Sequence, residues 1–451
     1  MLPIVTIASK NYLAQVRTLA ESYLRLHADG EVFFCLVDQV DGYFDPEHEP
    51  FTTIFAESLN ISNWQQFAFK YTILELNTAV KPYLLSYLFE HYQLDKLVYF
   101  DPDIVLYNSL DTLEALLDTY GIVLTPHILE PINDSAAPSE IDLLQAGTYN
   151  LGFVALSRRT NLRPLLKWWE SRLYNQCIRD VEHGLFVDQR WMDLAPAMFR
   201  NVYIWQHPGC NVAYWNFAHR AVQGKGNTFL VNGEPLMFMH YSGLVVENLE
   251  SVSKHQNRFT LGDLSTGTQY LIKDYRDKLL ANDYTTVKTW PYVYGKFTNG
   301  ISIPDIARAI CRKLDWLDPF KTGPGSFFEY LNSPAEGVSA APYLTQLAAA
   351  VYRENTNLQR YLPEGLTQQR TRLMHWFYTE GYLYYQLDDA FLEPMRPKST
   401  LEIMATVVQQ QQELGGTARK MRLKHVAKTV LGMPVYERLR AIYRGFIGSR
   451  A

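Results

Sequence analysis

The chain has 451 residues, of which 47% are hydrophobic and 20% charged, and its formal net charge is −5. This composition excludes a disordered chain, and the net acidity argues against general nucleic-acid binding. No apolar stretch reaches the roughly 18 residues of a membrane-spanning helix. The four cysteines form no CxxC pair, and residues 1–5 lack the basic residues of a signal peptide. Both observations predict a cytoplasmic location.

Strands and helices alternate along the first 125 residues. Short apolar runs predict strands at residues 3–8, 31–37, 53–55, 96–100 and 121–125. Apolar residues at helical spacing predict one helix over 11–27 and two helices over 64–92. This alternation indicates a mostly parallel sheet with helices on both of its faces.

The remaining segments are less regular. Further strands are predicted at residues 151–157, 202–205, 229–231 and 236–240. Beyond about residue 250 only helical spacing is clear, at 304–317, 342–355 and 366–386. The sequence therefore predicts three parts: an α/β domain over residues 1–250, a helical accessory or acceptor-side domain over 251–400, and a basic amphipathic helical tail over 401–451.

The acidic motif Asp101-Pro102-Asp103 follows an apolar strand. Carboxylates two residues apart in extended backbone point to the same side, and Pro102 favours an extended Asp101. The carboxyl end of a strand is where open α/β sheets bind ligands. Two close carboxylates repel each other unless a cation lies near them, and Mg²⁺ or Mn²⁺ carrying a diphosphate satisfies both charges. The alternative is an acidic turn that only ends the strand.

Further motifs accompany this one in chain order. They are Thr6-Ile7-Ala8 with Asn11-Tyr12, Lys81, Asn150-Leu151-Gly152-Phe153, Asp188-Gln189 and His240-Tyr241-Ser242-Gly243. The ordered set over residues 1–245 resembles glycosyltransferase family eight, the GT-A-fold family of retaining, nucleotide-sugar-dependent transferases that includes glycogenin and bacterial lipooligosaccharide galactosyltransferases. The chain departs from the family pattern at Lys81, where Arg is usual, at Arg190, where an acid is usual, and after Gly243, where the usual Lys is absent.

The resemblance implies a Rossmann-like GT-A domain with a nucleotide-sugar site. The implied metal ligands are Asp101, Asp103 and His240. The implied nucleotide contacts are Ala8, Asn11, Tyr12 and Asp101, with Tyr12 stacking on the base. The implied donor-sugar contacts are Lys81, Asn150, Gly152, Asp188 and Gln189, and the last two are the implied catalytic residues. A histidine ligand favours Mn²⁺ over Mg²⁺, and the metal stabilises the leaving diphosphate.

Each of these residues also has a purely structural interpretation. His240 closes an apolar run and is compatible with a core position. Asp188 suits the N-cap of a helix, Asn150 and Gly152 suit a bulge or turn, and Lys81 suits a solvated helix face. The functional interpretation depends on six elements that keep one order along the chain.

The sequence thus predicts a metal-dependent glycosyltransferase that moves a hexose from a nucleotide diphosphate sugar, with a UDP-sugar favoured, to a glycan or lipid-linked acceptor. Two other classes stay open. A nucleotidyltransferase also uses a strand-end DxD, but it begins with a Gly-rich phosphate loop, which residues 6–11 do not provide. A non-catalytic nucleotide- or glycan-binding protein with a relic site is the other class.

Two further segments bear on the acceptor. Residues 208–216 mix turn residues, aromatics and amides, which is typical of a sugar-facing loop or of a packed surface loop. Residues 417–451 carry nine Lys and Arg against one acid, Glu437. This tail suits either a solvated helix pair or an amphipathic contact with an anionic membrane surface, which predicts peripheral attachment to the inner face of the cell membrane.

Overall fold

The structure, a computed structural model, describes residues 2–226, 228–335, 342–363, 365–368 and 370–396. The predicted basic tail lies outside these residues. The chain divides into two compact units, Met1–Tyr294 and Gly295–Ala451. Across the described ranges, no helix combines the length and the apolarity that crossing a membrane requires.

The first unit contains every strand of the described residues. They are β1 (Ile4–Ala8), β2 (Val32–Leu36), β3 (Thr52–Phe55), β4 (Lys96–Phe100), β5 (Ile104–Leu106), β6 (Ile122–Pro126), β7 (Tyr149–Ser157), β8 (Arg179–Asp180), β9 (Leu185–Phe186), β10 (Val202–Ile204), β11 (Val222–Lys225), β12 (Thr228–Val231), β13 (Glu234–Pro235) and β14 (Phe238–His240).

Seven of these strands form the central sheet, in the order β10-β6-β7-β4-β1-β2-β3. β1 pairs in parallel with β2 and β4, β2 with β3, and β10 with β6. β7 runs antiparallel to both of its neighbours, β4 and β6. β1 and β2 are buried along their whole length, as continuous apolar runs predict. The expected α/β class with a mostly parallel sheet is confirmed.

Helices cover this sheet and extend past the sequence-predicted boundary near residue 250. They are α1 (Leu13–Leu26), α2 (Trp64–Phe69), α3 (Ile73–Ala79), α4 (Lys81–His91), α5 (Asp111–Leu117), α6 (Glu140–Ala146), α7 (Arg163–Gln176), α8 (Gln189–Met192), α9 (Ala195–Met198), α10 (Thr266–Ala281) and α11 (Tyr284–Val287). α10 and α11 pack on α1, and residues 251–294 belong to the first compact unit. The functional division at residues 250 and 400 stays a prediction.

The segment 64–92 contains three helices rather than the predicted two. Thr72 and Glu75 form a capping box, in which each side chain accepts a hydrogen bond from the other residue's backbone N–H. This cap starts α3 and separates it from α2. Pro82 lies in the first turn of α4, where its missing N–H costs nothing.

The second unit is helical, as predicted. Its helices are α12 (Asp305–Lys313), α13 (Phe327–Asn332), α14 (Gln346–Glu354), α15 (Thr356–Tyr361), α16 (Gly365–Gln368), α17 (Arg370–Trp376), α18 (Tyr382–Tyr384) and α19 (Asp389–Leu392). Side chains of Ser326, Thr345 and Asn355 accept backbone hydrogen bonds at the starts of α13, α14 and α15. Polar residues at these positions satisfy N–H groups that the helices leave unpaired.

Candidate active site and metal centre

The carboxyl ends of β1 and β4 meet the start of β7 at one edge of the sheet. Because β7 is antiparallel to β4, its first residues lie beside the last residues of β4, and Phe153 pairs with Phe100. The carbonyl of Gly152 accepts a hydrogen bond of 2.8 Å from the N–H of Asp101. Two motifs that are about fifty positions apart in the sequence are therefore neighbours at the edge where α/β sheets bind ligands.

Residues 101–103 form a turn, and the expectation of extended backbone there is wrong. The N–H of Ile104 donates to the carbonyl of Asp101 at 3.1 Å. Proline suits the second position of such a turn because its ring fixes φ. The carboxylates still converge: one ligand atom each of Asp101, Asp103 and His240 lies within 4.8 Å of the others.

β14 brings His240 to the two aspartates. His240 ends β14 and pairs with Ile104, the residue after the turn. Its Nε2 lies 3.0 Å from Asp103 Oδ1 and 3.8 Å from Asp101 Oδ2. The imidazole is 4% exposed, whereas the side chains of Asp103 and Asp101 are 22% and 30% exposed. The three predicted metal ligands thus form one cluster, in which the imidazole is buried and the two carboxylates are accessible to solvent.

These three residues fit a divalent cation. Burial lowers the pKa of His240, but the charges of Asp103 and Asp101 outweigh burial and raise that pKa overall. The same negative charge favours a metal ion on Nε2. Two carboxylates and one imidazole are a donor set that Mn²⁺ accepts readily. Asp101, Asp103 and His240 are therefore the residues that would hold the ion.

A buried ion pair of Lys81 and Asp188 lies next to this cluster. Lys81 Nζ is 2.5 Å from Asp188 Oδ2 and donates to the carbonyl of Leu151 at 2.8 Å. The two side chains are 1% and 2% exposed. Burial raises the pKa of Asp188, and the charge of Lys81 partly offsets that rise. The Asp188 side chain makes no cap hydrogen bond to α8, so its carboxylate serves the ion pair and not the helix.

Tyr99 connects the ion pair to the acidic cluster. Its hydroxyl donates to Asp101 Oδ1 at 2.5 Å, and Lys81 Nζ lies 4.1 Å from its ring centroid. Burial, then the charge of Asp101, raises the pKa of Tyr99 well above its ordinary value, so the hydroxyl stays a donor. Asp101 therefore keeps one oxygen on Tyr99 and turns the other towards His240.

Both ends of the Gln189 amide bind backbone. Its Oε1 accepts from the N–H of Leu151 at 2.9 Å, and its Nε2 donates to the carbonyl of Ala146 at 2.9 Å. The side chain is 6% exposed. Gln189 thereby fastens the start of α8 to the start of β7, and its implied catalytic role stays a prediction.

The predicted nucleotide contacts lie where β1 leads into α1. Ala8 ends β1 and is buried, whereas Tyr12 is 43% exposed. Burial, and then the charge of Asp103, raises the pKa of Tyr12 to about 12. The side-chain oxygen of Asn11 is buried and has no hydrogen-bond partner. An aromatic face and an acceptor are thus available near the acidic cluster.

No family model matches the chain. The chain is 26% identical to the uncharacterized protein YfnF of Bacillus subtilis strain 168 over 262 residues, which are 55% of this chain and 84% of YfnF. It is 24% identical to the uncharacterized protein YfnD of the same organism over 249 residues, which are 53% of this chain and 77% of YfnD.

The solved structures that resemble the chain include three glycosyltransferases. The galactosyltransferase LgtC, in complex with donor and acceptor sugar analogs, is 16% identical with a TM-score of 0.35, over 62% of this chain and 96% of LgtC. The glycosyltransferase GlyE of Streptococcus pneumoniae TIGR4 is 12% identical with a TM-score of 0.34, over 66% of this chain and 67% of GlyE. Mouse xyloside xylosyltransferase 1 is 14% identical with a TM-score of 0.29, over 45% of this chain and 84% of the xylosyltransferase. At such scores the function depends on the residues of the site.

The structure gives one predicted loop a different place and adds one residue, His127, that the sequence interpretation missed. Asn211, Trp215 and Asn216 belong to the proposed sugar-facing loop, but all three are buried. The Trp215 ring packs edge-on against His240, with centroids 5.2 Å apart, and against His127 at the same distance. These three loop residues therefore pack behind the metal cluster. His127 could have been found from the sequence in the same way as Asp101, because it is a polar residue that directly follows a buried strand, β6, at the same edge of the sheet.

Proposed function

We propose that the chain is a metal-dependent glycosyltransferase that transfers a hexose from a nucleotide diphosphate sugar to a hydroxyl of a glycan or lipid-linked acceptor. The observation that carries the proposal is the convergence of Asp101, Asp103 and His240 at the carboxyl edge of the sheet. An exposed tyrosine and a buried Lys–Asp pair lie close to that cluster. These are the parts that a nucleotide, a diphosphate and a sugar each need.

The acidic cluster is the proposed diphosphate end of the site. A divalent ion, with Mn²⁺ favoured by the imidazole ligand, would stabilise the negative charge of the leaving diphosphate. The partly exposed carboxylates of Asp101 and Asp103 leave room for phosphate oxygens on their solvent side. The buried imidazole of His240 would hold the ion from the side of the sheet.

The nucleotide end of the site is proposed to lie at Tyr12 and Asn11. The exposed ring of Tyr12 offers a flat face on which a base can stack. The unpartnered oxygen of Asn11 is an acceptor that a ribose hydroxyl or a base N–H would satisfy, and a buried acceptor without a partner costs free energy until it is satisfied. The resemblance favours uridine as the nucleoside.

The sugar is proposed to lie beside the Lys81–Asp188 pair. The Asp188 carboxylate orients sugar hydroxyls and stabilises the positive charge that develops on the anomeric carbon, because a fixed charge in a dry site acts strongly on such a centre. Lys81 keeps that carboxylate ionised and in place at 2.5 Å. Retention of the anomeric configuration follows from the resemblance alone.

A nucleotidyltransferase is less well supported by the residues at the end of β1. Lys10 is the cation there, and its Nζ lies 3.2 Å from Asp38 Oδ1 and 2.9 Å from Asp41 Oδ2. It also donates to the carbonyl of Gln39 at 3.1 Å, and its side chain is fully buried. A lysine bound in this way is not available to a triphosphate.

A screen of nucleotide sugars for hydrolysis tests the proposed function. Purified protein is incubated with UDP-, GDP-, ADP- and dTDP-hexoses with Mn²⁺ or with EDTA, and released nucleotide is measured. We expect release from at least one donor with Mn²⁺ and none above background with EDTA. No release from any donor, or equal release in EDTA, would contradict the proposal.

The acceptor is proposed to be reached at a membrane surface through residues 417–451. Each Lys or Arg near an anionic leaflet contributes up to about 1 kcal/mol, and this segment carries nine. Deletion of residues 417–451 is therefore expected to abolish co-sedimentation with phosphatidylglycerol vesicles while donor hydrolysis continues at the wild-type rate. Unchanged sedimentation of the truncated protein would show that the tail does not bind the membrane.

A further inference from the structure

Asn150 lies behind the metal cluster, and its side-chain oxygen is fully engaged. Asn150 is the second residue of β7 and is 7% exposed. Its Oδ1 accepts from the backbone N–H of Gly152 at 3.2 Å and from Asn211 Nδ2 at 3.0 Å. His240 Nδ1 lies 3.2 Å from the same oxygen. The resemblance implies a sugar contact for Asn150, but this oxygen already faces three donors.

The amide nitrogen of Asn150 is engaged as well. It donates to Gln189 Oε1 at 3.3 Å and lies 3.2 Å from His127 Nε2. Burial lowers the pKa of His127 to about 4, so at neutral pH its ring is neutral. His127 Nδ1 faces the carbonyl of Thr148 at 3.3 Å, which places the proton on Nδ1 and leaves Nε2 as an acceptor.

Backbone groups fix the direction of these hydrogen bonds. The N–H of Gly152 can only donate, so the side-chain atom of Asn150 that faces it is the oxygen. The N–H of Leu151 likewise makes the facing atom of Gln189 an oxygen, and that oxygen requires a donor from Asn150. Since Asn150 Oδ1 can only accept, His240 Nδ1 carries a proton, and Nε2 is the ring nitrogen that is left to bind a metal ion.

We propose that Asn150 is a positioning residue that holds the ring of His240 with its Nε2 directed at Asp101 and Asp103. The inference rests on the proposed metal-dependent function. Nε2 lies 3.0 Å from Asp103 Oδ1, and a divalent ion bound between these atoms would take the place of a proton on Nε2. Asn150 thus keeps the imidazole in the orientation that a metal ion on Nε2 requires. Partners of this kind commonly contribute ten- to a hundredfold to metal affinity.

Gly152 completes this arrangement by its lack of a side chain. A Cβ at this position would lie 2.5 Å from His240 Cε1 and 2.8 Å from Asn150 Oδ1. Real Cβ atoms do not approach other atoms so closely. The glycine of the Asn-x-Gly motif therefore admits the His240 ring, and the same three-residue motif supplies both the acceptor and the space.

The affinity of the nucleotide-free protein for Mn²⁺ tests the proposal. We expect Asn150→Ala to weaken Mn²⁺ binding about ten- to a hundredfold, measured by the electron paramagnetic resonance of free Mn²⁺. Asn282→Ala is the matched control, because Asn282 is a buried asparagine (9% exposed) that donates to Thr18 and Glu21 on α1 and has no hydrogen bond to the Asn150 network. We expect the control to keep its affinity within about twofold. Equal affinities of the wild-type protein and Asn150→Ala would overturn the proposal.

The proton position on His240 provides a test that needs no folded Asn150 variant. Long-range nitrogen–proton spectra of metal-free wild-type protein with isotope-labelled histidine report which ring nitrogens carry a proton, and His240→Ala identifies the signal. We expect a proton on Nδ1, and an Nδ1 without a proton would overturn the proposal. A wild-type protein with a proton on Nδ1 that binds no Mn²⁺ would contradict the proposed function, whereas a wild-type protein that binds Mn²⁺ but has no proton on Nδ1 would contradict only the role of Asn150.

Discussion

Asp103→Asn is expected to lower the rate of nucleotide-sugar hydrolysis at least about ten- to a hundredfold. The substitution keeps the size of the side chain but removes the negative charge of the Asp103 carboxylate, whose Oδ1 lies 3.0 Å from His240 Nε2. Loss of a metal ligand commonly has an effect of this size or larger. The rate is measured under steady-state conditions over a series of Mn²⁺ concentrations, with the donor found in the screen.

The control for this variant is Asp277→Asn. Asp277 lies on α10 with its side chain 63% exposed, and its ion pair is with the adjacent Arg276. We expect the control to retain the wild-type rate and the wild-type Mn²⁺ dependence. A rate for Asp103→Asn within about twofold of the control would show that Asp103 is not a metal ligand.

Lys81→Met is expected to lower the free energy of unfolding by about 3–5 kcal/mol at neutral pH, because it leaves the carboxylate of Asp188 buried without its partner. Burial already raises the pKa of Asp188 in the intact pair, and without Lys81 the pKa rises further. A carboxyl group whose pKa is higher in the folded state than in the unfolded state favours folding below its unfolded pKa, and this contribution is lost as pH rises through the folded pKa. The stability of Lys81→Met, measured by urea unfolding, therefore falls as pH rises.

The double variant Lys81→Met, Asp188→Asn separates charge from packing. With no carboxyl group at position 188, we expect the additional pH dependence to disappear, while donor hydrolysis stays impaired in both variants. Lys288→Met is the surface control, since Lys288 and its partner Glu247 are 39% and 55% exposed and solvent screens such a pair. A Lys81→Met protein with the stability of the Lys288→Met protein at every pH would contradict the buried ion pair.

The parallel strands and the ligand edge could be predicted because their signals are local. β1, β2 and β4 are buried, and each is visible as a continuous apolar run. A polar motif directly after such a run lies at the carboxyl edge of the sheet, which is why Asp101 and Asp103 were identified. The turn at Asp101 and Pro102 could also have been predicted in place of extended backbone, since Asp followed by Pro is typical of the first two positions of a turn.

The polar network behind the cluster could not be predicted from local patterns. Asn150 meets partners that are 23 to 90 positions away along the chain. These contacts depend on β7 running antiparallel to β4 and β6, which places the start of β7 beside the ends of its neighbours. A strand's apolar run does not reveal its direction, so the sequence could identify Asn150 without revealing what it binds.

Titration calorimetry with UDP and GDP tests the central claim most directly. Each nucleotide is added to the wild-type protein with saturating Mn²⁺ and again with EDTA. If Asp101, Asp103 and His240 hold an ion that carries the diphosphate, at least one nucleotide binds with Mn²⁺ and neither binds detectably with EDTA. Binding that is equally tight in EDTA, or no binding of either nucleotide with Mn²⁺, would contradict the account.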